Sequence, residues 1–561
     1  MKCLSILLVV VCLASACLAQ TPSTWPHGAV ASVSRLATEA GVAALKRGGN
    51  AVDAAIATAL TLGVVDGHNS GLGGGCFILI RTAKNEVVAL DGRETAPALA
   101  SRDMYVRDGK LDETLSKTGA LASGTPGALA AYAMAEERYG RLSLKDLIGP
   151  AAQLAEEGFP IDAAYARKIQ GVADSLRKFE GSAKLFFHAD GSPLKEGDML
   201  RQPDLAKTLR AIAQSGPSAF YQGAFAESVD QWMQQHGGLL RKADFEQYAV
   251  KVREPLHTTY RGYDVWGFPP PSSGGVHVAE MLNILETFDL PAQPVLQRTH
   301  VIAEAMKLAF ADRAFWLGDP GFIKVPRGLI DKEYAHELAK EIHLDAVTPV
   351  KGHGAPPQAE QNVFSDILGK HTTHLSTADA EGNWVALTQT VNTAFGSKVI
   401  VPGTGVILND EMDDFSIAPG VPNAFKLVGA EANAIAPGKR PLSSMSPTIV
   451  MKDGHPILSA GAAGGPTIIS QTLLALVGVL DLHLEVHAAL AAPRIHHQWS
   501  PDELKIESGF PPDVIAGLRK LGHQLDVQTR FGACQAVAWD EAEHAFHASS
   551  DPRLSGLADG W

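Results

Sequence analysis

The chain has 561 residues, of which 46% are hydrophobic and 19% are charged. This composition is typical of a globular protein with a large core, and because the 54 glycines form no repeat it excludes collagen-like and low-complexity chains. The formal net charge is −13 and no run of lysine and arginine exceeds a pair, which argues against a nucleic-acid partner.

The first twenty residues predict a secretory signal peptide. Lys2 gives a positive start, residues 4–13 are mostly apolar, and small residues follow. The apolar stretch is too short for a stable membrane span. We expect residues 1–19 to be removed and the protein to reach a bacterial periplasm or the medium, while Cys17 leaves a lipoprotein anchor open. An ordinary buried helix is the alternative interpretation.

Two cysteines, Cys76 and Cys534, remain after such a cleavage. Two thiols in a large exported protein do not form a disulfide framework. We expect two buried thiols, with a single bridge left open.

Helical and strand-like periodicities alternate in the first hundred residues. They predict, in order, helices over 34–46 and 51–65, a glycine-rich turn at 71–75, and strands over 76–80 and 87–90. Asn50 is placed to cap the second helix. The glycine-rich turn lacks the Lys-Ser/Thr pair of a phosphate-binding loop, so we interpret it as a tight turn.

The rest of the chain is mostly helical over 143–344, with a break at 269–271, and then becomes strand-rich. Residues 349–361 are predicted to be an exposed linker. Further strands are predicted over 374–376, 384–390, 446–451 and 456–460, and a buried helix over 467–482 that begins after Pro466. This arrangement favours a layered α+β fold.

The common hydrolase motifs are missing from the sequence. It contains neither Gly-x-Ser-x-Gly nor His-Glu-x-x-His. His496 and His497 are adjacent rather than on one helix face, and the pair His371/His374 has no acidic third ligand nearby in the sequence. We therefore expect no metal and no organic cofactor.

Thr372 is a candidate nucleophile of another kind. It opens a predicted strand shortly after the predicted linker. If the bond between His371 and Thr372 were cut, the threonine would gain a free α-amine, whose ordinary pKa of about 7.7–8.0 suits a general base near neutral pH. The pattern alone is weak, because Thr-Thr-His is common on ordinary strands.

Nine segments, in order, strengthen this interpretation. They are residues 91–97 (DGRETAP), 122–127 (ASGTPG), 269–275 (PPPSSGG), 372–374 (TTH), 411–415 (EMDDF), 440–445 (RPLSSM), 464–465 (GG), 493–498 (PRIHHQ) and 550–553 (SDPR). On these segments the chain resembles, from about Gly28 to the end, the γ-glutamyltransferase (glutathione hydrolase) family of N-terminal-nucleophile hydrolases.

The resemblance implies a four-layer αββα sandwich and a precursor that cleaves itself between His371 and Thr372. The products would be a large subunit, residues 20–371, and a small subunit, residues 372–561. Both would form one interleaved structural domain, so the cut is not a domain boundary and the mature protein is a heterodimer.

The resemblance also assigns the reaction. Thr372 would attack a γ-glutamyl amide, Thr390 would tune its hydroxyl, and the N–H groups of Gly464 and Gly465 would stabilise the oxyanion, as glycines at the start of a helix can. Glutathione and other γ-glutamyl compounds would be donors, and water, amino acids or dipeptides would be acceptors.

A γ-glutamyl group carries a free carboxylate and a free ammonium, so its pocket must offer both charges. The resemblance assigns the carboxylate to Arg93, Ser443 and Ser444 and the ammonium to Asn392, Glu411 and Asp414. An arginine fork suits the first group. Without the resemblance, each would be interpreted as a residue that caps strand and turn backbone.

Three points qualify this assignment. Phe425 replaces a tyrosine of many bacterial relatives in a lid predicted over 417–432, which affects the balance between hydrolysis and transfer. A related acylase that acts on glutaryl side chains of β-lactams is the nearest alternative, although the retained acids argue against a substrate without an amine. An inactive exported binding protein is the alternative of another class.

Overall fold

The computed structural model describes residues 23–108, 110–359, 371–416 and 431–561. The predicted signal peptide with Cys17, and Phe425 of the predicted lid, lie outside these residues. Within the described ranges, every helix is too short or too polar to cross a bilayer.

Most helices lie between residues 114 and 340, and the others lie among the strands on either side. In chain order they are α1 (Arg35–Lys46), α2 (Ala51–Val65), α3 (Thr114–Lys117), α4 (Ala128–Tyr139), α5 (Leu144–Glu157), α6 (Ala163–Gly171), α7 (Ala173–Leu176), α8 (Glu180–Phe186), α9 (Pro203–Ser215), α10 (Ser218–Tyr221), α11 (Ala224–Gln235), α12 (Lys242–Glu246), α13 (Gly274–Leu285), α14 (Val295–Trp316), α15 (Lys332–Lys340), α16 (Thr467–Leu480), α17 (Val486–Ala491) and α18 (Pro512–Leu521). Short 3₁₀ turns cover Arg327–Ile330, Glu411–Asp414 and Glu431–Asn433.

Most strands fall in the first hundred residues and after residue 370. They are β1 (Thr24–Trp25), β2 (Gly28–Ser32), β3 (Gly75–Arg81), β4 (Val87–Gly92), β5 (Val106–Arg107), β6 (Lys110–Leu111), β7 (Phe159–Pro160), β8 (Met199–Leu200), β9 (Lys251–Arg253), β10 (Leu256–Tyr260), β11 (Tyr263–Gly267), β12 (His371–Asp379), β13 (Trp384–Asn392), β14 (Thr448–Lys452), β15 (His455–Ala463), β16 (Ile495–His497), β17 (Leu504–Glu507), β18 (Leu525–Gln528), β19 (Ala533–Asp540), β20 (Ala545–Ser550) and β21 (Leu557–Gly560).

Two seven-stranded sheets, antiparallel throughout, form the centre of the molecule. The first, which we call the nucleophile sheet, has the order β21-β2-β12-β13-β3-β4-β9. The second, the facing sheet, has the order β1-β20-β19-β15-β14-β11-β10. Each sheet mixes strands from before and after His371.

The sheets pack face to face and each is covered by helices on its other side. Strands β12 and β13 contact β15 across the interface, where a side chain on Gly461 would come within 2.4 Å of the His374 ring. Helices α1, α2 and α4 cover the nucleophile sheet, and α13, α16 and α17 cover the facing sheet. The four layers confirm the predicted αββα sandwich.

The two ends of the described chain lie side by side at the edge of the nucleophile sheet. Strand β21 pairs with β2, and the His27 N–H donates to the Trp561 carbonyl at 2.9 Å. The segments 24–28 and 557–561 therefore run next to each other.

Several predicted elements are confirmed. Asn50 caps α2, because its side chain accepts from the Val52 and Asp53 N–H groups, and the Asp53 carboxylate accepts from the Asn50 N–H at 2.8 Å. Cys76 and Cys534 are buried free thiols, and no disulfide joins them.

The prediction of a mostly helical region over 143–344 missed the hairpin of β10 and β11. Arg261 and Gly262 connect these strands, and both have positive φ, +53° and +82°. Positive φ at both central residues is typical of tight hairpin turns. Such turns usually have asparagine, aspartate or glycine at the first of these positions, so an arginine there does not predict one. The predicted strand over 374–376 is also longer, His371–Asp379.

We expect Asn50→Ala to lower the free energy of unfolding by about 0.5–2 kcal/mol, because the first amides of α2 lose their acceptor. Urea unfolding followed by circular dichroism measures the change. Ser34→Ala is the matched control, because Ser34 precedes α1 without a side-chain cap. Equal losses in the two variants would contradict the capping role.

Candidate active site

Thr372 lies at the beginning of β12, in the middle of the nucleophile sheet. It pairs with Thr390 of β13, and the register shifts between His371 and Thr372. The Thr372 hydroxyl donates to the Thr390 Oγ1 at 3.2 Å, and both residues are buried. The irregularity thus turns the threonine hydroxyl towards its neighbour at the place where strand pairing ends.

The end of β13 supports this contact. The Thr390 Oγ1 accepts from the Asn392 N–H at 2.9 Å, and the Asn392 side-chain amide donates to the Asp410 carbonyl at 3.0 Å. Asn392 adopts a positive φ of +76°, which asparagine tolerates better than most residues. Its buried Oδ1 accepts no hydrogen bond from the described residues, so it is available to a ligand that donates one.

Arg93 follows β4 and is fully buried. Its guanidinium donates to the carbonyls of Pro441 at 3.2 Å and Leu442 at 2.9 Å. Next to it, Asp91 binds Arg440, which joins the segments 91–97 and 440–445 that the sequence analysis singled out. The two segments therefore hold one another in place.

The remaining contacts of Arg93 are with acids. Its two terminal nitrogens pair with Glu411 and Asp414 on the 3₁₀ turn, and one of them also lies 3.5 Å from the buried carboxylate of Glu94. Burial raises the pKa of both carboxyl groups, and Arg93 opposes that rise. Burial alone would lower the pKa of Arg93, but Glu411, Asp414 and Glu94 together more than offset it and the pKa is raised. The charged groups predicted to bind opposite ends of a substrate thus bind each other in the ligand-free chain.

Asn409 fixes the acidic turn. Its Oδ1 accepts from the N–H groups of Glu411 at 3.0 Å and Gly124 at 2.9 Å, and its Nδ2 donates to the Gly73 carbonyl at 2.8 Å. The glycine-rich turn and the segment 122–127 therefore position the acids through Asn409.

Ser443 and Ser444 lie on a loop that the segment 269–275 supports. The Ser443 N–H donates to the Pro271 carbonyl at 2.9 Å, and the Ser273 N–H donates to the Ser443 carbonyl at 2.8 Å. Buried Arg313 donates to the hydroxyls of Ser273 at 2.7 Å and Ser444 at 3.1 Å. Both serines are thereby fixed beside Arg93.

Gly464 and Gly465 connect β15 to α16. Their φ angles are +124° and +63°, a region that favours glycine. A side chain on Gly464 would also come within 2.6 Å of the Thr467 hydroxyl. The turn therefore requires glycine and leaves backbone N–H groups near the start of a helix.

These residues line a small cavity of about 20 Å³, which has room for about one water molecule. Its lining comprises Arg93, Thr372, Thr390, Asn392, Glu411, Asp414, Ser443, Ser444, Met445, Gly465 and Ile468. Thr372, Thr390, Gly465 and all six residues predicted to bind substrate are in this lining. A larger cavity of about 750 Å³, lined mainly by residues 253–257 and 320–330, contains none of them.

Four residues of the site were missed by the sequence analysis. Met445 and Ile468 line the cavity, and Asn409 and Arg313 hold its walls. Met445 belongs to the segment 440–445, which was a usable signal. Arg313 lies inside the long helix α14, where charged residues are ordinary, so no local signal distinguished it.

The histidines near the site are structural. The His374 ring nitrogens bond to the hydroxyls of Thr388 at 2.8 Å and Ser376 at 3.1 Å, and burial lowers the pKa of His374 to about 3. Burial also lowers the pKa of His496 to about 3. Both rings therefore stay neutral near pH 7.

A sequence model of the family described as gamma-glutamyltranspeptidase matches residues 37–561. The chain belongs to this family. It is 44% identical over 535 residues to the glutathione hydrolase proenzyme of Escherichia coli (strain K12), an alignment that covers 94% of this chain and 90% of the relative.

Two solved structures are similar to this member of the γ-glutamyltranspeptidase family. Cephalosporin acylase from Bacillus halodurans matches with a TM-score of 0.84 and 31% identity over 97% of both chains. The γ-glutamyltranspeptidase of Helicobacter pylori matches with a TM-score of 0.57 and 40% identity, over 58% of this chain and 95% of that one. The sandwich is thus of the N-terminal-nucleophile type.

Asp66 at the end of α2 carries a proton-dependent part of the stability. It is buried, accepts from the Asn69 side-chain amide at 2.8 Å and lies 3.4 Å from the His68 ring, and burial raises its pKa from 3.8 to about 7. A raised carboxyl pKa means that the folded state holds the proton more tightly than the unfolded state. Stability from this group is therefore present at low pH and is lost as pH rises from about 4 to about 7.

We expect Asp66→Asn, which cannot ionise, to gain melting temperature relative to wild type between pH 5 and pH 8, because only the wild type has to bury a charge at the higher pH. Differential scanning calorimetry measures the difference at each pH. Exposed Asp108→Asn is the control and should follow the wild type. A constant difference between Asp66→Asn and wild type would contradict this role.

Proposed function

We propose that this chain is a self-processing γ-glutamyltransferase and glutathione hydrolase with Thr372 as its nucleophile. The observation that carries the proposal is the cavity in which the Thr372 hydroxyl faces a buried arginine and two buried acids. A nucleophile next to a cationic and two anionic side chains suits a substrate that has an amide to attack and also carries a free carboxylate and a free ammonium.

Self-cleavage would begin with attack of the Thr372 Oγ1 on the carbonyl carbon of His371. The C–O bond forms, the C–N bond breaks, and the Thr372 nitrogen takes the proton. Water then hydrolyses the ester, which frees the His371 carboxylate and the Thr372 hydroxyl and amine. The contact with Thr390 would orient the attacking hydroxyl.

In the mature enzyme, the free α-amine of Thr372 would act as the general base. The hydroxyl attacks the γ-carbonyl of the substrate, and N–H groups of Gly464 and Gly465 stabilise the oxyanion. Collapse passes the proton to the leaving amine and leaves a γ-glutamyl ester. Water then releases glutamate, or the amine of an amino acid or dipeptide accepts the γ-glutamyl group.

Substrate binding would exchange ion pairs inside the pocket. The α-carboxylate takes the place of the acids at Arg93, with Ser443 and Ser444 as further donors. The ammonium then pairs with Glu411 and Asp414 and donates to the free Oδ1 of Asn392. The exchange gives Arg93 a new carboxylate partner and gives the displaced acids a cation, which favours substrates that carry both groups.

We further propose the subunits and the location implied by the resemblance. The large subunit, residues 20–371, and the small subunit, residues 372–561, would form a heterodimer in the periplasm or medium after loss of residues 1–19. The mixing of strands from both sides of His371 in each sheet supports a stable heterodimer. Glutathione and other γ-glutamyl compounds would be its donors.

Acylase activity on glutaryl amides is the second candidate. The similarity to a cephalosporin acylase over 97% of both chains favours it. A glutaryl group lacks the ammonium, so its carboxylate would displace the acids from Arg93 and leave them without a cation. The buried acid pair therefore makes this the weaker candidate.

We expect Thr372→Ala to remain a single chain and to be inactive, because it lacks the attacking oxygen. Wild type should yield two chains, the smaller beginning Thr-Thr-His-Leu-Ser, with hydrolysis of a γ-glutamyl anilide. Intact mass and N-terminal sequencing measure this. Thr372→Ser is the matched control and should still be cut. A folded wild type that stays uncut would overturn the proposal.

We expect Asp414→Asn to lower kcat/KM for a γ-glutamyl anilide about 10- to 100-fold, because the ammonium loses a charged partner. A glutaryl anilide has no ammonium, so its kcat/KM should not fall with that of the γ-glutamyl compound. Asp413→Asn is the control, since Asp413 bonds to Ser116 outside the cavity. A parallel loss for both anilides would refute the assignment of Asp414 to the ammonium.

A further inference from the structure

A second cluster of chemically capable side chains lies away from Thr372. His300 and Glu304 are one turn apart on α14, and His523 follows α18. One potential ligand atom from each lies within 4.8 Å of the other two. All three side chains are buried, which distinguishes the cluster from the groups of charged residues that are common on exposed surfaces.

The backbone fixes each member of the cluster. The His300 Nε2 donates to the His343 carbonyl at 2.7 Å, and the Glu304 Oε2 accepts from the Thr348 N–H at 2.7 Å. The helix α18 ends at Gly522 with φ +108°, and the His523 N–H donates back to the Leu518 carbonyl at 3.1 Å. These second contacts orient the rings and the carboxylate, as outer partners do at metal sites.

The atoms that face one another are incompletely paired. The Nδ1 of His300 lies 2.8 Å from the Nε2 of His523, and the Glu304 Oε1 lies 4.0 Å from that same nitrogen. The buried Glu304 Oε1 has no hydrogen-bond partner among the described residues. A buried carboxylate oxygen without a partner is costly, and it points to a missing positive group.

We propose that His300, Glu304 and His523 bind one zinc ion. Two imidazoles and one carboxylate form a ligand set that zinc accepts, with water in the fourth position. The proposal does not depend on the proposed function, and the ion has no part in that reaction. His300 and Arg313, which contacts Ser444, are thirteen residues apart on α14, about 20 Å along the helix.

The protons balance without release from either ring. A carbonyl only accepts, so a neutral His300 carries its proton on Nε2 and offers the Nδ1 lone pair. His523 then donates from Nε2 in the metal-free chain. On binding, its proton moves to Nδ1 and Nε2 becomes the ligand. Tetrahedral zinc spaces its nitrogen ligands by about 3.3 Å, so the rings separate by about half an ångström.

The location gives the ion a structural role. His300 and Glu304 precede the bond between His371 and Thr372, whereas His523 follows it. The ion would therefore join α14 to the C-terminal segment with side chains from both proposed subunits. Zinc should raise the melting temperature in proportion to the logarithm of its concentration.

The test uses untagged full-length protein, stripped with EDTA, loaded with excess zinc sulfate and freed of unbound metal by gel filtration. Mass spectrometry of the metal should find about one zinc per chain in wild type and about a tenth of that or less in Glu304→Gln and His300→Gln. Cobalt in place of zinc should give the visible absorption of a tetrahedral site in wild type.

The matched control is His547→Gln, in the partly exposed cluster of Asp540, Glu543 and His547. It should keep the zinc. Loss of zinc in this variant, with retention in Glu304→Gln, would overturn the proposal. A variant at a buried position can fail to fold, so the zinc content of the wild type is a sufficient test by itself. Less than half an equivalent of tightly held zinc per wild-type chain would also overturn the proposal.

Discussion

Strand β12 carries Thr372 and pairs with a strand on each side. The position of the candidate active site depends on this pairing. Strand β2 pairs with its second half and β13 with its whole length, and β15 packs across its face. The hydrogen bonds of this sheet hold Thr372 to its neighbours. Its position therefore does not rely on the covalent bond to His371, and a chain cut there keeps the threonine in place.

The buried charges next to this strand are expensive to maintain. Removing ions from water costs several kcal/mol each, and a buried ion pair often contributes less to stability than apolar residues of equal size. Arg93, which follows β4, nevertheless pairs with Glu411 and Asp414 of the 3₁₀ turn. The proposed recognition of a charged ligand gives a reason to keep such a cluster, which also fills much of the space beside Thr372.

The fold could be predicted from the sequence where local patterns were strong. Asn50 stood just ahead of an apolar helix, and its capping box is present. The hairpin around Arg261 was missed because arginine rarely signals positive φ, and a tertiary sheet overrode the helical surroundings.

The site was predicted from segments that lie close together only after folding. Asp91 and Arg440 are far apart in sequence, and neither suggests the other. The pairing of Arg93 with the acids could not be predicted, because a sequence shows which charges are present but not which contacts they make without a ligand. The cluster of His300 and His523 escaped notice for the same reason, since the two residues are separated by more than two hundred positions.

The adjacency of segments 24–28 and 557–561 has a consequence for how the chain could be connected. A short linker could join these segments, and the chain could then be opened between His371 and Thr372. Such a circular permutant would begin with threonine as soon as its initiating methionine is removed. It would present the free amine at the edge of the cavity without any peptide-bond rearrangement. Activity could then be measured in a chain of the same fold that has no need to cleave itself.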